Sequence, residues 1–154
     1  MIREATPEDA ALVAEDFWYP LAEAMEPYSE LNELTDDALA HAREGFADLL
    51  GREDRYEFLL EIEGEPVGYI DAEMDTRPTR NLGAYMDIIN LHVREGYRDQ
   101  GYGTRLVEKV EAVAEREGCD YVTVSAEWAN DPANDLYESL GYEPKQVKHA
   151  KRLR

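Results

Sequence analysis

The spacing of apolar residues divides the chain into helical and extended stretches. Ala10, Val13, Ala14 and Phe17 recur at three- and four-residue intervals, the period of a helix with one apolar face. Thr6-Pro7-Glu8-Asp9 supplies its start, with a hydroxyl cap, a proline at the first position and acids in the first turn. Pro20 is expected to end it. A second helix is expected after Thr35-Asp36, with Leu39, Ala42, Phe46, Leu49 and Leu50 on one face before Gly51. A third stripe, Leu106, Val107, Val110, Val113 and Ala114, precedes Gly118, a natural C-terminal stop. Short runs rich in β-branched and aromatic residues fill the rest. Ile2 to Ala5, Tyr56 to Glu63, Val67 to Met74, Tyr85 to Val93 and Tyr121 to Val124 read as strands. The second and third join as a hairpin at Gly64-Glu65-Pro66. Asn130 or Asp131 caps a last helix, with Pro132 near its start and Gly141 just beyond its end. Tyr142 to Arg154 is expected to return as a final extended segment, weakened by Pro144.

The element order, strand-helix-helix-strand-strand-strand-helix-strand-helix-strand, predicts the α+β class, a mixed sheet flanked by helices. At 154 residues a single domain covering 1–154 is expected, long enough to bury a real core. The chain has no internal repeat, low-complexity run or interdomain linker.

Composition excludes several function classes. The net charge of −19 leaves no basic surface for nucleic acid. No apolar run approaches the roughly twenty residues that cross a bilayer, and no basic-then-apolar leader opens the chain, so a cytoplasmic location is expected. One cysteine, Cys119, allows no internal disulfide, has no marked basic neighbourhood to make it a nucleophile and has no thiolate partners for a metal. His41 and His149 are isolated, and no metal is expected. The thirty-five acids are spread along the whole chain against four lysines and twelve arginines. That spread reads as adaptation to a salt-rich cytoplasm in a halophile, where salt screens the self-repulsion. An acidic surface attracting a cationic amine is the compatible rival.

The stretch with the most chemistry is Leu91 to Val107. It reads as a buried strand end, a loop with Gly101 and Gly103, and the first turn of a helix. Glycines let a ligand approach the main chain, the helix start offers unpaired N–H groups and a positive dipole end, and Arg98 adds a cation. Together these suit a phosphate or pyrophosphate.

The pattern Arg98-x-x-Gly101-x-Gly103 after a Leu-x-Val strand end resembles the acyl-CoA loop of the GNAT superfamily of N-acetyltransferases. About thirty residues on, Asn130, Ala133 and Leu136-Tyr137-Glu138-Ser139-Leu140-Gly141-Tyr142 resemble that family's Asn-x-x-Ala and Leu-Tyr-x-x-x-Gly-(Phe/Tyr) signature. The specific part of the resemblance runs from Asp87 to Tyr142. It implies a GNAT-like fold with a mostly antiparallel mixed sheet, acetyl-CoA as co-substrate, and transfer to an amine by direct attack in a ternary complex. Main-chain N–H groups across Arg98, Asp99, Gln100, Gly101, Tyr102, Gly103 and Thr104 would take the pyrophosphate. Main-chain groups of Leu91, His92 and Val93 would run beside the pantetheine arm, and an amide of that strand would stabilise the oxyanion.

Transfer also needs a proton for the departing thiolate and a sink for the amine proton. Tyr137 stands where the family places a tyrosine that reaches the CoA sulfur, and a phenol with an ordinary pKa of about 10 is protonated at neutral pH. Its helical neighbours Ala133, Leu136 and Leu140 allow a core role instead. Asn130 is carried over as a cofactor contact, with helix capping as the other role. Asp87 and Glu127 are the candidate bases, and each also suits a structural position. His92 has a suitable unperturbed pKa. Many relatives deprotonate the amine through water alone.

The acceptor is expected in Pro20 to Leu34, Asp75 to Gly83 and the C-terminal segment, with Trp18, Tyr19 and Tyr28 as wall or core. Glu23, Glu26, Glu30 and Glu33 line that region or form a solvated face. The basic tail balances local charge. A non-catalytic acyl-CoA-binding or regulatory module on the same fold is the alternative, and a phosphate-binding protein of another α+β fold the third reading. Relatives are often dimers, which leaves a homodimer open.

Overall fold

A computed structural model describes residues 1–154. Five strands form one sheet in the order β1-β2-β3-β4-β5: β1 Ile2–Glu4, β2 Arg55–Ile62, β3 Glu65–Thr76, β4 Ala84–Val93 and β5 Tyr121–Val124. The first three pairings are antiparallel. The β4–β5 pair is parallel and is joined by the crossover helix α4, Tyr102–Arg116, as parallel neighbours require.

The N-terminal helix is longer than its proline suggests. A 3-10 turn at Pro7–Asp9 leads into α1, Ala10–Leu12, then a π-helical stretch Val13–Trp18 and α2, Tyr19–Met25. Pro20 therefore does not close the segment. The wide π turn, in which Tyr19 N–H reaches back to Ala14 O, absorbs the missing N–H and the bulk of the proline ring. Helix α3, Ala38–Leu49, follows two 3-10 turns, and α5 spans Asp131–Ser139.

Strand alternation sends side chains to two cores. Leu59 and Tyr69 meet Val13, Ala14, Phe17 and Phe46 under α1 to α3. Phe58, Leu60, Ile70, Ala72, Met86 and Ile88 meet Leu106, Val107, Val110 and Val113 of α4 on the opposite face, where Tyr137 of α5 and Leu140 just beyond it also pack.

Three local features depart from the expected pattern. The β2–β3 hairpin turns at Glu63-Gly64, one residue earlier than expected, because Ile62 pairs with Glu65 and both central residues adopt positive φ (53° and 82°). The register of β3 and β4 slips between Asp71↔Asn90 and Ala72↔Ile88, leaving Ile89 as a bulge. Without it Asn90 and His92 would share the face of Met86 and Ile88. With it they pair with Asp71 and Tyr69 on the α1–α3 face, and Leu91 and Val93 take the α4 face.

The expected final strand is absent: residues 143–154 pair with nothing in the sheet. Pro144 cannot donate to a ladder, and the two large apolar residues, Val147 and Leu153, are exposed, so the segment has no apolar face to bury. Its one side-chain tie to the fold is Arg152 Nη1 to Glu30 Oε2, 2.9 Å.

Candidate active site

β4 and β5 pair only from Tyr85↔Tyr121 to Ile88↔Val124. β5 then ends while β4 continues to Val93, so the sheet opens at Ile89. Arg94 N–H donates to Val67 O, and by antiparallel alternation Leu91 and Val93 direct their main-chain groups to the open side. Val93 O is already taken by Arg98 Nε at 3.0 Å, which leaves Leu91 and the Val93 N–H as the free groups of that edge.

The loop beyond is shaped to expose N–H groups. After the 3-10 turn Glu95–Tyr97, Asp99 and Gly101 take left-handed φ of 61° and 82°, and α4 starts at Tyr102. Arg105 N–H, donating to Gly101 O, is the first to enter the helical ladder. From Asp99 to Thr104 no main-chain N–H has an acceptor in the protein. Alternating left-handed residues make a concave nest, and here it merges with the positive end of a 15-residue helix. The Arg98 guanidinium, anchored on Val93 O, stands beside it. A Cβ built on Gly103 would lie 3.8 Å from Leu136 Cδ2, so α5 rests against the first turn of α4.

Tyr137, next to Leu136, is half-buried, with its ring edge-on to Tyr142 at 6.0 Å. Its phenol makes no hydrogen bond within the protein, and burial raises its pKa to about 12. Tyr142 OH donates to Glu111 Oε2 at 2.9 Å. Asn130 Oδ1 accepts from Ala133 N–H at 3.3 Å, so the side chain caps α5. The two candidate bases are both held by donors. Asp87 Oδ1 accepts from Thr123 Oγ1 at 2.8 Å, one pair before the sheet opens. Glu127 Oε1 accepts from Asn32 Nδ2 at 2.9 Å, tying the 3-10 turn Glu30–Asn32 to the segment after β5. His92 does not face the open edge. Its ring lies edge-on to Phe17 at 6.3 Å in the α1–α3 layer. Burial, then Arg98 and Arg94, lower its pKa to about 4, so it is neutral at pH 7. Burial, then Glu117 and Asp120, raise the Cys119 thiol, away from thiolate chemistry. No group of three or more His, Cys, Asp or Glu side chains is placed to hold a metal ion.

A buried polar cluster on the α1–α3 face escaped sequence reasoning. Arg55 Nη2 meets Asp71 Oδ2 at 3.1 Å and Arg55 Nε meets Glu57 Oε1 at 3.1 Å. Tyr69 OH donates to Asp71 Oδ2 at 2.6 Å, and Asn90 donates to Asp71 through both its main chain and its amide. Asp71 is fully buried, and burial raises its pKa against the pull of its donors. Arg55 loses hydration on burial, but Asp71 and Glu57 outweigh this and hold its charge more firmly. Removing one partner of such a pair typically costs about 3–5 kcal/mol, because the other charge is left buried alone. The available signal was Asp71 itself, a carboxylate inside the apolar run Val67 to Ala72.

Arg55 and Asn90 of this cluster floor a cavity of about 430 Å³ between β4 and α3, walled by Trp18, Ala42, Phe46 and Leu49 and bordered by Ile89. Trp18, one of the three aromatics expected to be wall or core, lines it and stacks on Tyr19 at 6.4 Å, while Tyr28 is exposed. A second hollow at the far end of β4 is bordered by Arg77, Arg80 and Lys145.

The parallel pair thus splays open beside a nest and a helix N-terminus, leaving a cleft with free main-chain donors at one end. The model of the acetyltransferase (GNAT) family matches residues 16–142, and the chain belongs to that family. It is 28% identical over 106 residues to an uncharacterized N-acetyltransferase of Methanocaldococcus jannaschii, covering 69% of this chain and 47% of that one. It is 28% identical over 153 residues to the thialysine N-epsilon-acetyltransferase of Bos taurus, covering 92% and 82%. Among solved structures it superposes on a predicted acetyltransferase of Clostridium acetobutylicum, crystallised with acetyl-CoA, with a TM-score of 0.77 at 15% identity, covering 99% and 95%. The chain spans about half the length of the curated relatives it matches first. The fold is that of the GNAT family. No helix is long and apolar enough to cross a membrane.

Proposed function

We propose that residues 1–154 act as one domain that transfers the acetyl group of acetyl-CoA to a primary amine by direct attack. The observation that carries this reading is the unbroken run of unpaired N–H groups from Asp99 to Thr104 beside the free edge of β4. An anion at the nest, neutralised by Arg98 and the α4 dipole, accounts for a left-handed aspartate and glycine that the fold does not otherwise need. An extended ligand arm would then continue along Leu91 and the Val93 N–H as a strand does. The C. acetobutylicum neighbour crystallised with acetyl-CoA supports the choice of ligand.

In this reading the amine nitrogen bonds to the thioester carbonyl carbon, and the carbonyl electrons move to oxygen. A β4 amide then steadies that oxyanion. On collapse the C–S bond breaks, Tyr137 gives its proton to the thiolate sulfur, and the amine's extra proton leaves to Asp87, Glu127 or water. A phenol raised to about 12 is protonated at neutral pH, as a proton donor must be. With the Cys119 thiol raised, no acyl-enzyme is invoked. Asn130 contributes by capping α5 and so setting the start of the helix that carries Tyr137.

The acidic surface is read as adaptation to a salt-rich cytoplasm, since ion pairs engage only a minority of the thirty-five acids. The deciding test is isothermal titration with acetyl-CoA in KCl at which the protein is folded. Stoichiometric sub-millimolar binding is expected, and no binding by folded protein overturns the reading.

A further inference from the structure

Asn90 carries a hydrogen-bond acceptor whose direction the buried cluster sets. Its main-chain N–H donates to Asp71 Oδ1 at 3.0 Å, and its Nδ2 donates to both Asp71 oxygens at 3.2 and 3.0 Å. Turning the amide over would put its oxygen against that carboxylate, so the network assigns nitrogen to Asp71 and oxygen to the other side. Arg55 and Tyr69 hold Asp71 in turn. Asn90 Oδ1 accepts nothing from the protein, is not a buried orphan, and belongs to a residue that lines the cavity.

The cavity has further properties that narrow its occupant. Its walls are mostly apolar, from Trp18, Ala42, Leu49 and Ile89. Its cation, Arg55, is outnumbered by Glu57, Asp71 and Glu73, which lie within 4.0 Å of its nitrogens. These carboxylates do not line the cavity themselves but engage Arg55 on all three nitrogens, so beside the Asn90 acceptor the floor offers an amine N–H a partner and a carboxylate no free arginine. Ile89, the bulged residue, lines the cavity and is the first β4 residue past the last β5 pair, so cavity and cleft adjoin where the sheet opens.

We infer that this cavity seats the acceptor, that Asn90 Oδ1 receives an N–H of its amine and aims the nitrogen through the gap at Ile89, and that the acceptor is a cationic primary amine on an apolar body without a carboxylate. The inference rests on the acetyl-transfer reading above and goes beyond it in naming the acceptor class and Asn90 as its positioning residue.

The test pairs 2-phenylethylamine with phenylalanine, which share a body and differ by a carboxylate. With saturating acetyl-CoA, kcat/KM is expected at least tenfold higher for the amine. Asn90→Ala should raise the amine KM at least tenfold while acetyl-CoA affinity stays near wild type, with a lower unfolding temperature because buried Asp71 loses the amide's two hydrogen bonds. Gly45→Leu gives a second variant. A Cβ at Gly45 meets nothing within 4 Å, and the residue lines the cavity from α3, so leucine fills the space without disturbing Asn90. It should cost the amine at least tenfold in KM and leave acetyl-CoA binding intact. Equal or better use of phenylalanine, use of neither compound, or an amine KM within twofold of wild type in either variant overturns the inference. Failure of acetyl-CoA titration itself would instead overturn the acetyl-transfer reading.

Discussion

Gly101→Val is the sharpest perturbation of the donor site. Gly101 sits at φ 82° immediately before α4, and a Cβ there would meet no protein atom within 4 Å. The substitution is therefore conformational: a side chain in the left-handed region costs roughly 1–2 kcal/mol. For a chain of this size that is a drop of about 2–8 °C in Tm. The alternative to bearing the strain is for the loop to leave the left-handed conformation, which turns the Gly101 and Tyr102 N–H groups out of the nest. Hydrogen bonds to a charged oxygen contribute about 1.5–3 kcal/mol each, so losing two weakens acetyl-CoA by about two to four orders of magnitude. Thermal unfolding and calorimetric titration on one sample separate the two effects. Gly96→Ala serves as control, since Gly96 has no positive φ and open space around it. A folded Gly101→Val protein whose acetyl-CoA Kd stays within threefold of wild type would refute the nest as the anion site.

Tyr137→Phe should lower kcat at least tenfold with little change in acetyl-CoA affinity; an unchanged kcat would move the ring into the core. His92 is neutral in the fold with a pKa of about 4 against 6.5 when unfolded, so between those values the unfolded chain binds the extra proton and stability falls as pH drops. The loss is up to about 3 kcal/mol by pH 4, and His92→Phe should remove it from the acid limb of a denaturation series; identical limbs would contradict the assignment. The charge reading predicts a higher Tm in molar KCl than in dilute buffer, and equal values would dismiss it.

The apolar pattern made most of the architecture legible. Stripes such as Leu106, Val107, Val110 and Val113 placed α4, and the glycine spacing placed the loop before it. What escaped was whatever depended on a partner distant in the chain. The bulge at Ile89 exists only relative to β3, and no periodicity within β4 announces it. Pro20 reads locally as a stop, and only the π turn packed against α3 and β4 lets the helix pass it. Asp71 is tolerable only because Arg55, Tyr69 and Asn90 converge on it across three strands. The C-terminal segment erred the other way, since extended propensity without an apolar face does not make a strand. The position of the Arg98 to Thr104 loop before α4 was readable from its glycines, whereas the direction of His92 was not, because a single inserted residue decides it.

That inserted residue makes β4 a two-sided ledge whose sides are free to diverge separately. Changes at 90 and 92 alter only what lies under α1 to α3, whereas changes at 91 and 93 alter only what lies over α4. Substitutions on one face can thus accumulate without repacking the other. Deleting Ile89 would be a different kind of event. It would leave Asn90 opposite Asp71 and Leu91 opposite Ile70, and would straighten the strand at the point where the sheet opens.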